Sequence, residues 1–284
     1  MSLSTIYEPV QEDLAEVEAR LKGVTEVGSH WLAELLAHSL GGSGKRVRPA
    51  LVLLAGKFYE YNLGYLLPMA VAVEVLHTAT LVHDDAIDHS SLRRGRPTIN
   101  KVWGEDKAIL LGDYLLARAE ELVSEAQNLH VVRLFARTIM TIADGELGQA
   151  FNAFNLEQTR EQYLARVSAK TASLITLAIE SGAILSQAPA EMVTALREYG
   201  YNLGVAFQIV DDILDFIGDE AEMGKPVGSD LAEGTLTLPA MLALERYPGD
   251  NPIRRLFRHE GDRQENLRLA IESVSYTHLT LPTN

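Results

Sequence analysis

The chain has no cysteine in its 284 residues, which excludes disulfide scaffolds, cysteine zinc sites, iron–sulfur centres and thiol nucleophiles. It is short of basic residues: 25 Lys and Arg stand against 39 Asp and Glu, a formal net charge of −14. That balance argues against a nucleic-acid binder, which needs a basic face. It suits a protein that concentrates divalent cations and leaves room for anionic ligands in local basic pockets. None of the eight histidines forms an HExxH or other closely spaced pair that would suggest a zinc site. Alternating Val/Ile/Thr runs bounded by Asn-Gly or Asp-Gly are missing, so no strands are expected. Fixed-period repeats, low-complexity tracts and long linkers are missing too. Residues 1–14 lack the basic-then-apolar profile of a signal peptide, which makes the cytoplasm the default compartment. A single long apolar run, Leu63 to Val82, contains Pro68, Glu74 and His77 and leads straight into His83-Asp84-Asp85. It reads as a buried central helix and not as a transmembrane segment.

What is present is helical periodicity. Leu14, Val17, Leu21 and then Leu32, Leu35, Leu36, Leu40 recur three to four residues apart, the spacing of one helix face. The stretches Val47 to Phe58, Ile109 to Val123, Val131 to Leu147, Ala169 to Leu185 and Met192 to Ile217 behave alike. With 47% apolar residues there is ample material for a core. The expected fold is all-α: one large domain over residues 1–274, about ten helices packed around the Leu63–Val82 helix. After Val274 the text Ser275-Tyr276-Thr277-His278-Leu279-Thr280-Leu281-Pro282-Thr283-Asn284 has no helical period and no cap. Residues 275–284 are expected to be an irregular, non-native tail.

Two acidic clusters share one spacing. His83-Asp84-Asp85-Ala86-Ile87-Asp88 and Val210-Asp211-Asp212-Ile213-Leu214-Asp215 both read D-D-x-x-D at the end of an apolar helical stretch. On a helix, i and i+4 lie on one face a turn apart, so Asp84 with Asp88, and Asp211 with Asp215, form carboxylate pairs. Two such charges about 6 Å apart repel by roughly 3 kcal/mol at an effective dielectric near 20. A solvated acidic face would have polar neighbours, whereas here they are Leu, Val, Ile and Phe. A divalent cation relieves the repulsion, and oxygen-only ligands point to Mg²⁺ or Mn²⁺. Mg²⁺ commonly shares its carboxylates with a substrate phosphate, and two basic loops offer phosphate partners: Arg93-Arg94-Gly95-Arg96-Pro97 and Gly44-Lys45-Arg46-Val47-Arg48-Pro49. The second is not a P-loop, since it lacks the second Gly and the Ser/Thr. Together these features suggest two diphosphate sites, one bridged by metal and one held by Lys and Arg.

At this point the sequence resembles the trans-isoprenyl diphosphate synthases, the polyprenyl synthetase family. The segments that carry the likeness are Gly44 to Pro49, His77 to Asp88, Arg93-Arg94-Gly95, Phe207-Gln208-Ile209-Val210-Asp211-Asp212-Ile213-Leu214-Asp215 and Gly224-Lys225-Pro226, in family order from about residue 10 to about residue 274. The resemblance implies an all-α fold around a central cavity, a homodimer, and head-to-tail condensation of an allylic diphosphate with isopentenyl diphosphate. It implies that Asp84, Asp88, Asp211 and Asp215 hold Mg²⁺, three ions per site with Mn²⁺ as the alternative, and that Asp85 completes the first catalytic triplet. Arg93, Lys170 and Lys225 would hold the allylic diphosphate. Lys45, Arg48, His77 and Arg94 would hold isopentenyl diphosphate, and Thr171 and Gln208 would turn oxygens to the allylic cation. The family usually has Lys where Thr235 stands, two residues before Thr237-Leu238-Pro239, and continues for further helical turns where this chain enters its last ten residues. Short-chain members place bulky aromatics where Ala79 and Thr80 stand, so products of C20 or longer are expected, with Leu76 and then Ala72 and Val73 deeper along the helix. Two other readings exist. A class I terpene cyclase would carry an Asn/Asp…Ser…Glu second motif, whereas here the second motif is another D-D-x-x-D. A non-catalytic or regulatory subunit of a heteromeric synthase would typically lose aspartates that this chain keeps.

Overall fold

A computed structural model describes residues 3–42, 44–93, 95–218 and 226–279. The elements in chain order are α1 (Leu3–Tyr7), α2 (Gln11–Val24), α3 (His30–Leu40), α4 (Val47–Gly56), α5 (Leu63–Ile87), β1 (Leu92–Arg93), β2 (Arg96–Pro97), α6 (Ile99–Trp103), α7 (Glu105–Ser124), α8 (Leu129–Phe151), α9 (Arg160–Val167), a π-helical turn (Ser168–Ala172), α10 (Ser173–Leu185), α11 (Ala190–Ile217), α12 (Ser229–Ala232), α13 (Leu238–Arg246), α14 (Pro252–Phe257) and α15 (Arg263–Leu279). The fold is all-α, as the periodicity predicts. The helices more numerous than expected are short ones such as α1, α6, α12 and α14, which span too few turns to show a period.

Two compact units divide the chain: Met1–Met140 with Ser173–Leu203, and Thr141–Ala172 with Gly204–Asn284. In the first, α5 is the central element and packs against α7, α4, α10 and α2. Asn62 caps its start, accepting from the Gly64 amide at 3.0 Å. Its buried residues form a continuous series from Leu66 through Leu76 apart from Leu67, so α5 is apolar nearly all round, as a helix enclosed by others must be. Each fully buried Leu, Val or Met there contributes about 1.5–3 kcal/mol relative to exposure. By length and composition α5 could cross a membrane, but 67% of its most apolar window lies buried inside the protein. Its one buried carboxylate among Leu63–Val82, Glu74, accepts from Arg46 Nη1 at 2.8 Å. Beyond α5 the chain makes a minimal antiparallel hairpin that pairs Leu92 with Pro97 and Arg93 with Arg96. Two-residue strands cannot display an alternating pattern, so the sequence carries no sign of them. Gly95 (φ 74°) supplies the left-handed residue the turn needs.

The second unit has its own core, built from Tyr163, Val167, Phe216, Leu231, Leu236, Met241, Ile253, Phe257 and Val274, among others. A capping box opens α9: Thr159 Oγ1 accepts from the Gln162 amide while Gln162 Oε1 accepts from the Thr159 amide. At the chain's end α15 continues through Leu279 instead of breaking after Val274. Extending a helix already nucleated adds a hydrogen bond per residue without a new nucleus, so no apolar period is required. Ser275 Oγ also donates to the Phe216 carbonyl at 3.2 Å. Residues 280–284 of the expected tail lie outside the described residues.

Candidate active site

In the first unit the end of α5 sorts its aspartates by direction. Asp84 is half-buried and Asp88, one turn on, is exposed. Asp85 turns inward and accepts from Arg93 Nε at 2.8 Å. One residue along a helix is a rotation of about 100°, so a D-D pair cannot present both carboxylates to one side. Burial pushes the Asp85 carboxyl above the usual carboxylate range; the Arg93 guanidinium pulls it back, and Asp88 adds to the rise. The basic loop before α4 is sorted in the same way. Lys45 is exposed and Arg48 half-buried, while Arg46 between them adopts a left-handed backbone (φ 47°). From there Arg46 donates to Glu74, to Glu18 Oε1 at 2.5 Å and to the Gly42 carbonyl at 3.1 Å. Arg46 thus anchors the loop from inside. His77, with Asp85, Arg93, Glu74 and His38, lines a cavity of about 180 Å³, which brings together three of the residues singled out from sequence. Arg94 lies outside the described residues.

In the second unit the π-helical turn carries Lys170 and Thr171. The wider turn interrupts the helical register that a continuous helix over residues 169–185 would have kept; such turns are common at functional sites. Lys170 Nζ pairs with Glu146 Oε1 at 2.8 Å. Thr171 Oγ1 donates to Gln208 Oε1 at 2.5 Å. Gln208 Nε2 donates to Asp212 Oδ1 at 2.8 Å, and the hydroxyl of fully buried Tyr163 donates to Asp212 Oδ2 at 2.7 Å. Of the second triplet, only Asp211 is exposed. Sequence spacing pairs Asp215 with Asp211, but Asp215 is wholly buried. It accepts from Ser229 Oγ at 2.8 Å and the Asp230 amide at 3.3 Å, anchoring the start of α12. Burial raises the Asp212 carboxyl; hydrogen bonds from Gln208 and Tyr163 and the charge of Arg166 oppose the rise, and Asp211 adds to it. Lys225 lies outside the described residues. Thr235 is half-buried, and its amide donates to the Asp230 carbonyl at 2.8 Å.

Sequence reasoning did not single out Glu146, Tyr163 or Arg166. Tyr163 and Asp212 are 49 residues apart, and neither lies in a local pattern that signals the pairing. Among the described residues no three His, Cys, Asp or Glu side chains converge in a way that could hold a metal ion.

An all-α fold, two D-D-x-x-D helix ends and basic loops near the first of them define a class of enzyme that handles diphosphates. The family model for polyprenyl synthetases matches residues 29–274. Component 2 of the heptaprenyl diphosphate synthase of Geobacillus stearothermophilus is 43% identical over 244 residues, 86% of this chain and 76% of that protein. The crystal structure of a polyprenyl synthase from Caulobacter crescentus CB15, complexed with calcium and isoprenyl diphosphate, superposes with a TM-score of 0.92 at 34% identity, covering 97% of this chain and 85% of that one. Heptaprenyl diphosphate synthase from Staphylococcus aureus gives a TM-score of 0.88 at 37% identity, covering 97% and 85%. The chain belongs to the polyprenyl synthetase family and is a prenyltransferase.

One prediction tests how tightly the π-helical turn is held. A Cβ on Gly204 would stand 2.5 Å from Ala172 Cα and 2.9 Å from its Cβ. Gly204→Ala must therefore push α11 away from the turn that carries Thr171. Overpacking of this kind costs about 1–3 kcal/mol. Thermal melting should register that loss, and turnover should fall with it. A variant that melts and turns over like the parent would show that the turn yields freely.

Proposed function

We propose that this enzyme condenses an allylic diphosphate with isopentenyl diphosphate, head to tail and with a divalent cation, to give all-trans polyprenyl diphosphates of C20 or longer. The observation that carries the reading is the sorting of the first triplet. Asp84 and Asp88 remain at the solvent side of a deeply buried helix, while Asp85 is taken up by Arg93. Asp84, Asp88 and Asp211 would hold Mg²⁺ or Mn²⁺, which when bound neutralises the leaving diphosphate. Asp215, already engaged with Ser229 and Asp230, would act from behind by fixing the end of α11.

The chain's own residues have these roles. Lys170, Arg93 and Lys225 hold the allylic diphosphate as its C1–O bond breaks. Lys45, Arg48, His77 and Arg94 hold isopentenyl diphosphate, whose double bond attacks C1; a proton then leaves C2 of the isopentenyl unit. Thr171 and Gln208 present oxygens to the allylic cation, where fixed dipoles act most strongly because water is excluded. We assign the reaction to the cytoplasm, consistent with α5 lying inside the protein.

The reading is tested by incubating the purified chain with an allylic diphosphate, isopentenyl diphosphate and Mg²⁺. Arg48→Ala should raise KM for isopentenyl diphosphate about 10- to 100-fold, the loss of a charge-assisted contact. Lys170→Ala should act on the allylic substrate by a similar factor. Equal effects of both variants on both substrates would sink the two-site division. We take the active species to be a homodimer. A heteromer is favoured by one observation, that the Geobacillus relative is named as one component of its enzyme. If the chain alone is silent and a second, non-identical protein restores turnover, the heteromer is correct.

A further inference from the structure

We propose that Tyr163 and Asp212 are positioning residues that fix the orientation of the Gln208 carboxamide, so that its oxygen, and not its NH₂ group, lies on the side of Thr171. The proposal deepens the reading above and rests on it, because it concerns the residues assigned to face the allylic cation. The orientation follows from which groups donate and which accept. An ionised carboxylate can only accept hydrogen bonds. Both Asp212 oxygens are used: Oδ2 takes the Tyr163 hydroxyl at 2.7 Å and Oδ1 takes Gln208 Nε2 at 2.8 Å. Tyr163 and Asp212 are both buried, so water cannot replace either partner. With NH₂ held on Asp212, Gln208 must turn Oε1 the other way, where Thr171 Oγ1 donates to it at 2.5 Å. Turning the amide by 180° would set Oε1 against Asp212 Oδ1, acceptor facing acceptor, in a buried place.

The remainder of the chain of contacts holds the Tyr163 ring. Arg166 lies over it, 5.5 Å from the ring centroid. That guanidinium is tied down at 2.9 Å to both Gln158 Oε1 and the Leu236 carbonyl. The outcome matters for a cation: the correct orientation offers two oxygens, Gln208 Oε1 and Thr171 Oγ1, whereas the flipped one directs partly positive N–H groups at developing positive charge. The second triplet therefore divides its work. Asp211 faces outward, its Oδ2 at 3.5 Å a long second acceptor for Gln208 Nε2; Asp212, at 2.8 Å, orients Gln208, and Asp215 anchors α12.

Two measurements test this. In steady-state kinetics, Tyr163→Phe should lower kcat about tenfold with both KM values nearly unchanged. Asp212→Asn should lower it further, since the introduced carboxamide offers its own NH₂ and forces Gln208 to flip. Adding Gln208→Glu to Asp212→Asn should restore much of kcat, because the new carboxylate at position 208 accepts from the new amide at position 212 and from Thr171, and so returns an oxygen to the site. Gln208→Glu alone should be poor, with two carboxylates face to face. A role that is only structural would move the melting temperature and not produce this rescue. The second measurement needs no turnover: in enzyme labelled with ¹⁵N-glutamine, the Gln208 NH₂ signals, identified by their loss in Gln208→Leu, should exchange slowly and shift in Asp212→Asn. Rapid exchange, or a folded Asp212→Asn protein that Gln208→Glu does not rescue, would overturn the proposal. A parent enzyme silent with every allylic diphosphate, yet with a slowly exchanging Gln208 amide, would overturn the proposed reaction and leave the orientation standing.

Discussion

Asp84→Ala and Asp211→Ala should each lower turnover by about three orders of magnitude or more, the kinetic equivalent of several kcal/mol of lost stabilisation of the leaving charge. In Asp211→Ala stability should hold or rise slightly, since the change removes an exposed carboxylate that repels Asp212. The inward aspartates should behave in the opposite way. Asp85→Ala strands the Arg93 guanidinium and Asp215→Ala strands the start of α12, so both should lower the melting temperature. Calorimetric titration of Mg²⁺ in the presence of inorganic diphosphate provides a readout separate from turnover: heat should be lost in Asp84→Ala and Asp211→Ala. If either outward variant keeps near-parental turnover at saturating Mg²⁺, or binds Mg²⁺ as the parent does, the assignment of the metal site is wrong.

This contrast also marks how far the sequence could be read. The D-D-x-x-D spacing made two acidic helix ends legible, although the second carboxylate pair it implies is divided, Asp215 being taken up in the fold by Ser229 and Asp230. It left open which member of each triplet faces out, since that depends on partners outside the motif, from eight to 49 residues away: Arg93 for Asp85, Ser229 for Asp215, Tyr163 for Asp212. The long helices were legible from period, and α5 from its nearly unbroken apolar run. The π-helical turn at Ser168–Ala172 was not, because one extra residue in a turn leaves no compositional trace. The same holds for Arg46. Its loop looked uniformly basic, and only the left-handed backbone at that residue sends the middle guanidinium inward to Glu74 and Glu18. Composition predicts that charges are present, while packing decides which of them remain available to a ligand.

Product length should be set on α5, upstream of Asp84. Asp84, Thr80 and Leu76 lie four residues apart and so share one stripe, and one helical turn rises about 5.4 Å, close to the length of one extended five-carbon unit. Thr80 is half-buried, whereas Ala79 and Leu76 are fully buried. Thr80 is small and donates its Oγ1 proton to the His77 carbonyl at 2.8 Å, so that it would let a growing tail pass the first turn. Thr80→Phe should close that level and shift products toward C15 with little change in melting temperature. Ala79→Phe should also shorten products but at a cost in stability of about 1–3 kcal/mol, because Ala79 has no exposed surface into which a ring could extend. Leu76→Ala should lengthen products by roughly one unit per turn of helix cleared, and because Leu76 is wholly enclosed it should destabilise by about 2–5 kcal/mol. Chromatography of the dephosphorylated products decides the matter. A parent enzyme that stops at C15 would overturn the C20-or-longer reading, and a folded Thr80→Phe variant with parental product lengths would move the measuring surface off α5.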